Sequence, residues 1–312
     1  MTDTILVPTD GSDPAAAAAR HARLLATGLG ADVRVLSVVP EGGSGGQENP
    51  RTAAESAAAD AAALVGGSDA DAGETTVEAT TVVRQGDPAE TILEYADAAH
   101  ADLIVMGTHG RTGVDRVVSG SVTEHVTRLS EVPVFTARGS ETPAPTTYDR
   151  LLLPTDGSDC AEVAVAAAID LARALDASVD VVSVVDVNTV AAQSELTNAR
   201  LVVDELEHQA QAGVERVADR LAQAGVGGET AVVQGTPATG IADYADDSGA
   251  DLIVMGTHGR SGLGRFLLGS TTERLIRHAP VPVLSVRAGD ANGEASDANG
   301  ETSDANGEAS DD

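Results

Sequence analysis

Gly107, Gly110 and Gly120 stand at a fixed spacing, and Ser121 follows at once. The pattern returns as Gly256, Gly259, Gly269 and Ser270, so both copies read G-x2-G-x9-G-S. The run leading into each, ADLIVMGTHGR, is identical at 101–111 and 250–260. Each copy leaves a short apolar run of strand character and enters a segment with helical spacing. Glycine lets backbone N–H groups approach a ligand with no Cβ in the way. A helix N-terminus adds unpaired N–H donors and partial positive charge. Ser121 and Ser270 are expected to add a hydroxyl and a cap. The chemistry these residues suit is a phosphate cradle made of backbone. It needs no lysine, and the chain has none, because all 19 of its basic residues are Arg. Neither a G-x4-G-K-[ST] loop nor a G-x-G-x-x-G directly after the first apolar run is present.

The acidic candidates are Asp10 and Asp156, each inside a TDGSD turn that ends the first apolar run of its half. A carboxylate at that place can accept from the two hydroxyls of a ribose. The other reading of Asp10 is a helix cap. Asp13, before Pro14, is expected to fill that role, with Pro at the first helical position. In the second half, Asp159 and Glu162 have capping-box spacing. His109 and His258 lie within the cradles as phosphate partners, general acids or solvent-facing turn residues. Arg111 and Arg260 either steady a terminal phosphate or are solvated. Arg116 and Arg265 are weaker candidates, and Glu124 and Glu273 are expected at the surface. Phosphoryl transfer wants a cationic clamp, a metal-binding carboxylate and a residue that positions water. The one carboxylate between cradle glycines is Asp115, and Gly264 replaces it in the second copy. The pattern therefore favours binding over catalysis, with no catalytic residue and no protein metal ligands assigned. The alternatives are a slow phosphohydrolase and a structural or chaperone-like factor that needs no nucleotide.

The elements that must position these residues are also written twice. ILVPTDGSD (5–13) matches LLLPTDGSD (151–159), VLSVV (35–39) matches VVSVV (181–185), and SEVPVFTAR (130–138) matches HAPVPVLSVR (278–287). In the first copy the periodicity gives strand at Ile5–Pro8, helix at Pro14–Leu29, strand at Val33–Val39 and helix at Ala53–Val65. It continues with strand at Thr76–Arg84, helix at Ala89–His100, strand at Leu103–Met106, helix at Ser119–Ser130 and strand at Val132–Ala137. Val- and Ile-rich strands alternating with helices imply a parallel sheet wound by right-handed crossovers, an α/β fold. We expect a first domain at 1–138, a linker at 139–147, a second domain at 148–288 and a disordered acidic tail at 289–312. Residues 40–50 read as a flexible insertion.

A net charge of −30 with no basic stripe argues against nucleic acid as a partner. Such self-repulsion calls for screening by salt, so the chain reads as adapted to a salt-rich, haloarchaeal-like cytoplasm. One cysteine, Cys160, permits no intrachain disulfide and is expected as a small buried side chain. No apolar run reaches the ~18–20 residues of a membrane span. The amino-terminal stretch lacks the features of a signal peptide. The expected location is the cytoplasm, with no membrane contact.

Both halves resemble the universal stress protein (UspA-type) domain, and specifically its ATP-binding branch, whose G-x2-G-x9-G-[S/T] motif both copies match. The resemblance implies two tandem Rossmann-like domains of the adenine nucleotide alpha hydrolase-like kind. Each would be a five-stranded parallel sheet of order 3-2-1-4-5 with helices on both faces. It implies ATP as ligand, with Mg²⁺ held by the phosphates, and a nucleotide-dependent regulatory role in stress response. Carried over by position, Asp10 and Asp156 meet the ribose hydroxyls. Val38 with Met106, and Val184 with Met255, line the adenine. Gly107, Gly110, Gly120 and Ser121 hold ribose and phosphates, as do Gly256, Gly259, Gly269 and Ser270, while Val122 and Thr271 offer the next backbone N–H. By analogy with dimers of the family, the last strands (Val132–Ala137 and Val281–Val286) would pair, as an intrachain pseudo-dimer or between chains as a homodimer.

Overall fold

A computed structural model describes residues 2–41, 49–67, 77–108, 121–139, 147–187, 199–257 and 268–287. The first half runs β1 (Thr4–Thr9), α1 (Asp13–Leu29), β2 (Asp32–Val39), α2 (Pro50–Gly66), β3 (Ala79–Gln85), α3 (Pro88–Ala98), β4 (Leu103–Gly107), α4 (Ser121–Leu129) and β5 (Val134–Ala137). The second runs β6 (Arg150–Pro154), α5 (Asp159–Leu175), β7 (Ser178–Val185), α6 (Ala199–Gln223), β8 (Thr230–Gln234), α7 (Pro237–Ser248), β9 (Leu252–Gly256), α8 (Ser270–His278) and β10 (Val283–Val286). The insertion at 42–48 and the tail from 288 on lie outside the described residues.

Each half forms a parallel sheet, as its alternating pattern implies, and its strand order is 3-2-1-4-5, as the family resemblance implies. The two sheets join edge to edge into one ten-stranded sheet through β5 and β10. That junction is the antiparallel one, with Thr136 opposite Val283 and Ser285 opposite Val134. Each last strand thereby covers the other's open edge.

Strand alternation sends side chains to two different cores. Ile5 and Val7 belong to a core shared by both halves, beneath α1, α2, α5 and α6. Leu6, Leu36, Ile104 and Met106 belong to a separate core under α3 and α4. Leu152, Val182, Ile253 and Met255 belong to its counterpart under α7 and α8. At the amino edge a carboxylate fixes the strand register twice. Asp102 accepts from the Asp3 and Thr4 amides at 2.8 and 2.9 Å, and Asp251 accepts from the Asp149 and Arg150 amides at 2.9 Å each.

The helix starts depart from the sequence reading. Ser12, not Asp13, caps α1, and its side chain accepts from the Ala15 amide. Asp13 is already the first helical residue. Ser158 likewise caps α5, so Asp159 and Glu162 form no capping box; Glu162 instead pairs with Arg220 of α6. The Cys160 side chain lies outside the described set. Helix α2 starts three residues early because Asn49 caps it at Pro50, and β3 begins at Ala79 rather than at 76.

A small aromatic cluster ties the halves together on the shared-core side. Tyr148, at the start of the second half, is buried, and its hydroxyl is hydrogen-bonded to His21 Nδ1 of α1 at 2.5 Å. Phe135 of β5 packs edge-on against Tyr148 with ring centroids 6.3 Å apart. Burial, helped by the charge of Arg20, lowers the His21 pKa from 6.5 to about 4. His21 is therefore neutral in the fold, while the unfolded chain takes up its proton near pH 6.5. Its contribution is fully present above that pH and is lost as pH falls toward 4. Denaturant titrations at pH 7 and pH 4 should show the wild type losing about 3 kcal/mol more than His21→Gln. Parallel losses in the two proteins would mean that His21 is not buried in its neutral form.

Candidate nucleotide site

The carboxyl edge of each half is built from two turns. The first follows β1 and β6. Thr9 Oγ1 accepts from the Gly11 amide at 3.2 Å, and Asp10 Oδ1 accepts from the Ser12 amide at 3.0 Å. Thr155, Gly157, Asp156 and Ser158 repeat both bonds at the same distances. Gly11 and Gly157 share φ of 74°, a left-handed conformation that favours glycine. Asp10 is exposed and Asp156 half-buried at the lip of the sheet. Each carboxylate thus keeps its local turn while facing the edge where ligands of open parallel sheets bind.

The second turn leaves β4 and β9. β1 pairs with β4, and β6 with β9, which brings the two turns side by side. At the end of β4 the fit is close. A Cβ on Gly107 would come within 2.6 Å of the Pro14 carbonyl carbon and 2.7 Å of its oxygen. Gly107 is therefore glycine because the start of α1 presses on it, a packing reason separate from any phosphate. Gly110, Gly120 and Gly259 lie outside the described residues, as do His109, His258, Arg111, Arg116, Arg260 and Arg265.

Where the chain returns, it is fastened to the strand it left. Thr123 Oγ1 donates to the Gly107 carbonyl at 2.7 Å, and Thr272 Oγ1 donates to the Gly256 carbonyl at 3.0 Å. The Gly269 amide donates to the Thr257 carbonyl at 2.8 Å. The helix starts are thus held at the sheet edge. Gly269 is the N-cap of α8 and, having no side chain, supplies no cap bond. Ser270, expected as a cap, is instead the first helical residue and exposed, as is Ser121. Val122 and Thr271 are half-buried beside them. An uncapped helix start leaves its first N–H groups for another acceptor.

The apolar candidates fall together. Met106 and Val38 share one core, and Met255 and Val184 share its counterpart. The methionines are buried, whereas the valines are half-buried. The valines therefore offer the larger accessible apolar surface. The threonine staples, Thr123 and Thr272, were not singled out from sequence, although each falls two residues after the cradle serine.

In the second half a cleft of about 270 Å³ opens at Asp156, between the β6 turn, β7 and α6, with Ser183, Gln209 and Arg216 on its walls. Arg216 stands in mid-helix with no motif around it, so nothing in the sequence pointed to it. The cleft is on the α6 side of the sheet, whereas Val184 and Met255 face the α7 and α8 side. Asp156 lines the cleft from the β6 turn. Among the described residues no cluster of His, Cys, Asp and Glu forms a metal site, and no helix is long and apolar enough to cross a membrane.

Comparison with known proteins agrees with this architecture. Residues 1–138 and 147–287 each match the model of the universal stress protein family. A universal stress protein of Methanocaldococcus jannaschii is 39% identical over 140 residues, covering 45% of this chain and 82% of that protein. One from Mycolicibacterium smegmatis is 29% identical over 215 residues, 66% of this chain and 68% of that one. The crystal structure of a universal stress protein from Archaeoglobus fulgidus superposes over 92% of this chain and 97% of its own, with TM-score 0.67 and 22% identity, a likeness of fold.

Proposed function

The chain belongs to the universal stress protein family, and from that premise we propose that each half binds one adenine nucleotide, ATP with Mg²⁺ carried on its phosphates. The observation that supports this most directly is the duplicated edge. An aspartate turn stands beside a strand end from which a glycine-rich segment runs to a helix start fastened by a threonine, and both halves build it. The groups present fit the ligand. Asp10 and Asp156 suit ribose hydroxyls, Val38 and Val184 with Met106 and Met255 suit the base, and uncapped N–H groups at Ser270 and Thr271 suit phosphate oxygens. Neutral dipoles explain how a chain of net charge −30 without lysine would hold a polyanion.

The role we assign is that of a nucleotide-dependent regulatory factor with little or no catalysis. No carboxylate lies between the cradle glycines of both halves, since Asp115 is matched by Gly264. Phosphoryl transfer would lack a shared metal-binding or water-orienting residue there. Because β5 and β10 already occupy each other's edges, we place the functional pair of sites within one chain.

The test is calorimetric titration of MgATP into the full-length protein in molar KCl, a medium that screens its charge. Two sites per chain are expected. One site would mean that the halves have diverged into a binding and a scaffolding domain. No heat, with no nucleotide co-purifying, would move the weight to the nucleotide-independent stress factor.

A further inference from the structure

We infer that the seam between the two halves, on the α4 and α8 side of the sheet, is a binding site for a monatomic anion of the chloride class. Its floor is the β5–β10 junction. Val134 belongs to the α3–α4 core and Val283 to the α7–α8 core. By strand alternation Thr136 and Ser285 face the same side as these valines. Both are buried. The walls are α4, with Glu124 and Arg128 one turn apart, and α8, with Glu273 and Arg277 at the same spacing.

The two equivalent arginines of the walls are not alike in their partners. Arg277 Nη2 takes both carboxylates, Glu273 at 2.5 Å and Glu124 at 3.4 Å. The two glutamates stay at the surface, as expected, each with 39% of its side chain exposed at the rim of this seam. Arg128, the counterpart of Arg277, makes no ion pair among the described residues. At the two ends of the seam Arg138 Nη1 donates to the Ala279 carbonyl at 3.0 Å, and Arg287 Nη1 donates to the Leu129 carbonyl at 3.4 Å. Arg128, Arg138, Arg277 and Arg287 thus all belong to the elements that form the seam.

The unsatisfied donors belong to the same elements. Arg128 Nε, Arg277 Nε and Ser285 Oγ are buried without a hydrogen-bond partner, three of the four such side-chain atoms among the described residues. The fourth, Ser248 Oγ, is at the end of α7. Buried donors require an acceptor, and guanidinium cannot shed its proton to escape the requirement. Water would satisfy the donors and leave the charge of Arg128 unpaired. A halide accepts from N–H and O–H donors alike and compensates that charge as well. The seam is formed only where the two halves meet, so the site is a property of the tandem arrangement, independent of the nucleotide reading.

Two measurements on the full-length protein test this. Chloride-35 linewidth, titrated in potassium gluconate at constant ionic strength, should show a saturable excess. The apparent affinity should drop about tenfold or more in Arg128→Met and by a smaller factor in Ser285→Ala. Crystals grown in potassium bromide should carry an anomalous peak bordered by Arg128 Nε and Ser285 Oγ. A bromide-free seam holding water overturns the proposal, and so does an excess linewidth equal in wild type and both variants. If Arg128→Met fails to fold, the Ser285→Ala titration and the bromide crystals of the wild type decide the matter.

Discussion

Gly107→Ala is expected to destabilise the first half by about 3 kcal/mol, with Gly107→Val costing more. The added Cβ would sit 2.6 to 2.8 Å from the carbonyl carbon, the oxygen and the Cβ of Pro14. Two of those atoms are backbone, held by the first turn of α1, so no side-chain rotation relieves the contact. Relief means lifting α1 from the end of β4. That would also displace the Asp10 turn, which is continuous with α1 through the Ser12 cap. Gly227→Ala is the control, because a Cβ there meets nothing within 4 Å and its backbone conformation suits any residue. Chemical denaturation followed by circular dichroism should show an early transition in the Gly107 variants and none in Gly227→Ala. A Gly107→Ala protein of wild-type stability that has lost nucleotide binding would reverse the assignment, making this glycine a ligand contact first.

That double meaning of Gly107 shows what could be read from the chain alone. The repeat and the alternation of strand and helix were legible because each rests on local periodicity carried twice, whereas the 3-2-1-4-5 order followed from the family resemblance alone. Helix starts were legible only to within one to three residues. Ser12, Asp13 and Pro14 are all favoured near an N-terminus, and the tertiary position of α1 chooses among them. The half-site at Asp10 was readable because TDGS forms its turn from its own atoms. The threonine staples were not, because Thr123 acts on a carbonyl sixteen residues away. Least legible was the seam. Arg128 and Arg277 look like ordinary solvated helix arginines until β5 meets β10 and turns α4 toward α8. Arg216 likewise gains meaning only once α6 lies beside the Asp156 turn.

Asp10→Asn combined with Asp156→Asn is expected to weaken MgATP binding by about 10- to 100-fold at each site with little change in stability. The substitution is chosen for what it preserves. Asn keeps an oxygen that can accept from the Ser12 or Ser158 amide at 3.0 Å, so each turn retains its internal bond. What disappears is the negative charge and one acceptor, replaced by an NH₂ group that cannot accept from a ribose hydroxyl. Hydrogen bonds to charged groups contribute about 1.5–3 kcal/mol, which sets the expected range. The single variants should each weaken one binding event by that factor and leave the other unchanged, because the two turns belong to different halves of the sheet. The sugar supplies the control. Against 2′,3′-dideoxy-ATP the wild type should already bind as weakly as the double variant, and the double variant should lose nothing further. Equal losses for both nucleotides in the variant would place the aspartates elsewhere than on the ribose, with the phosphate cradle then carrying the affinity alone.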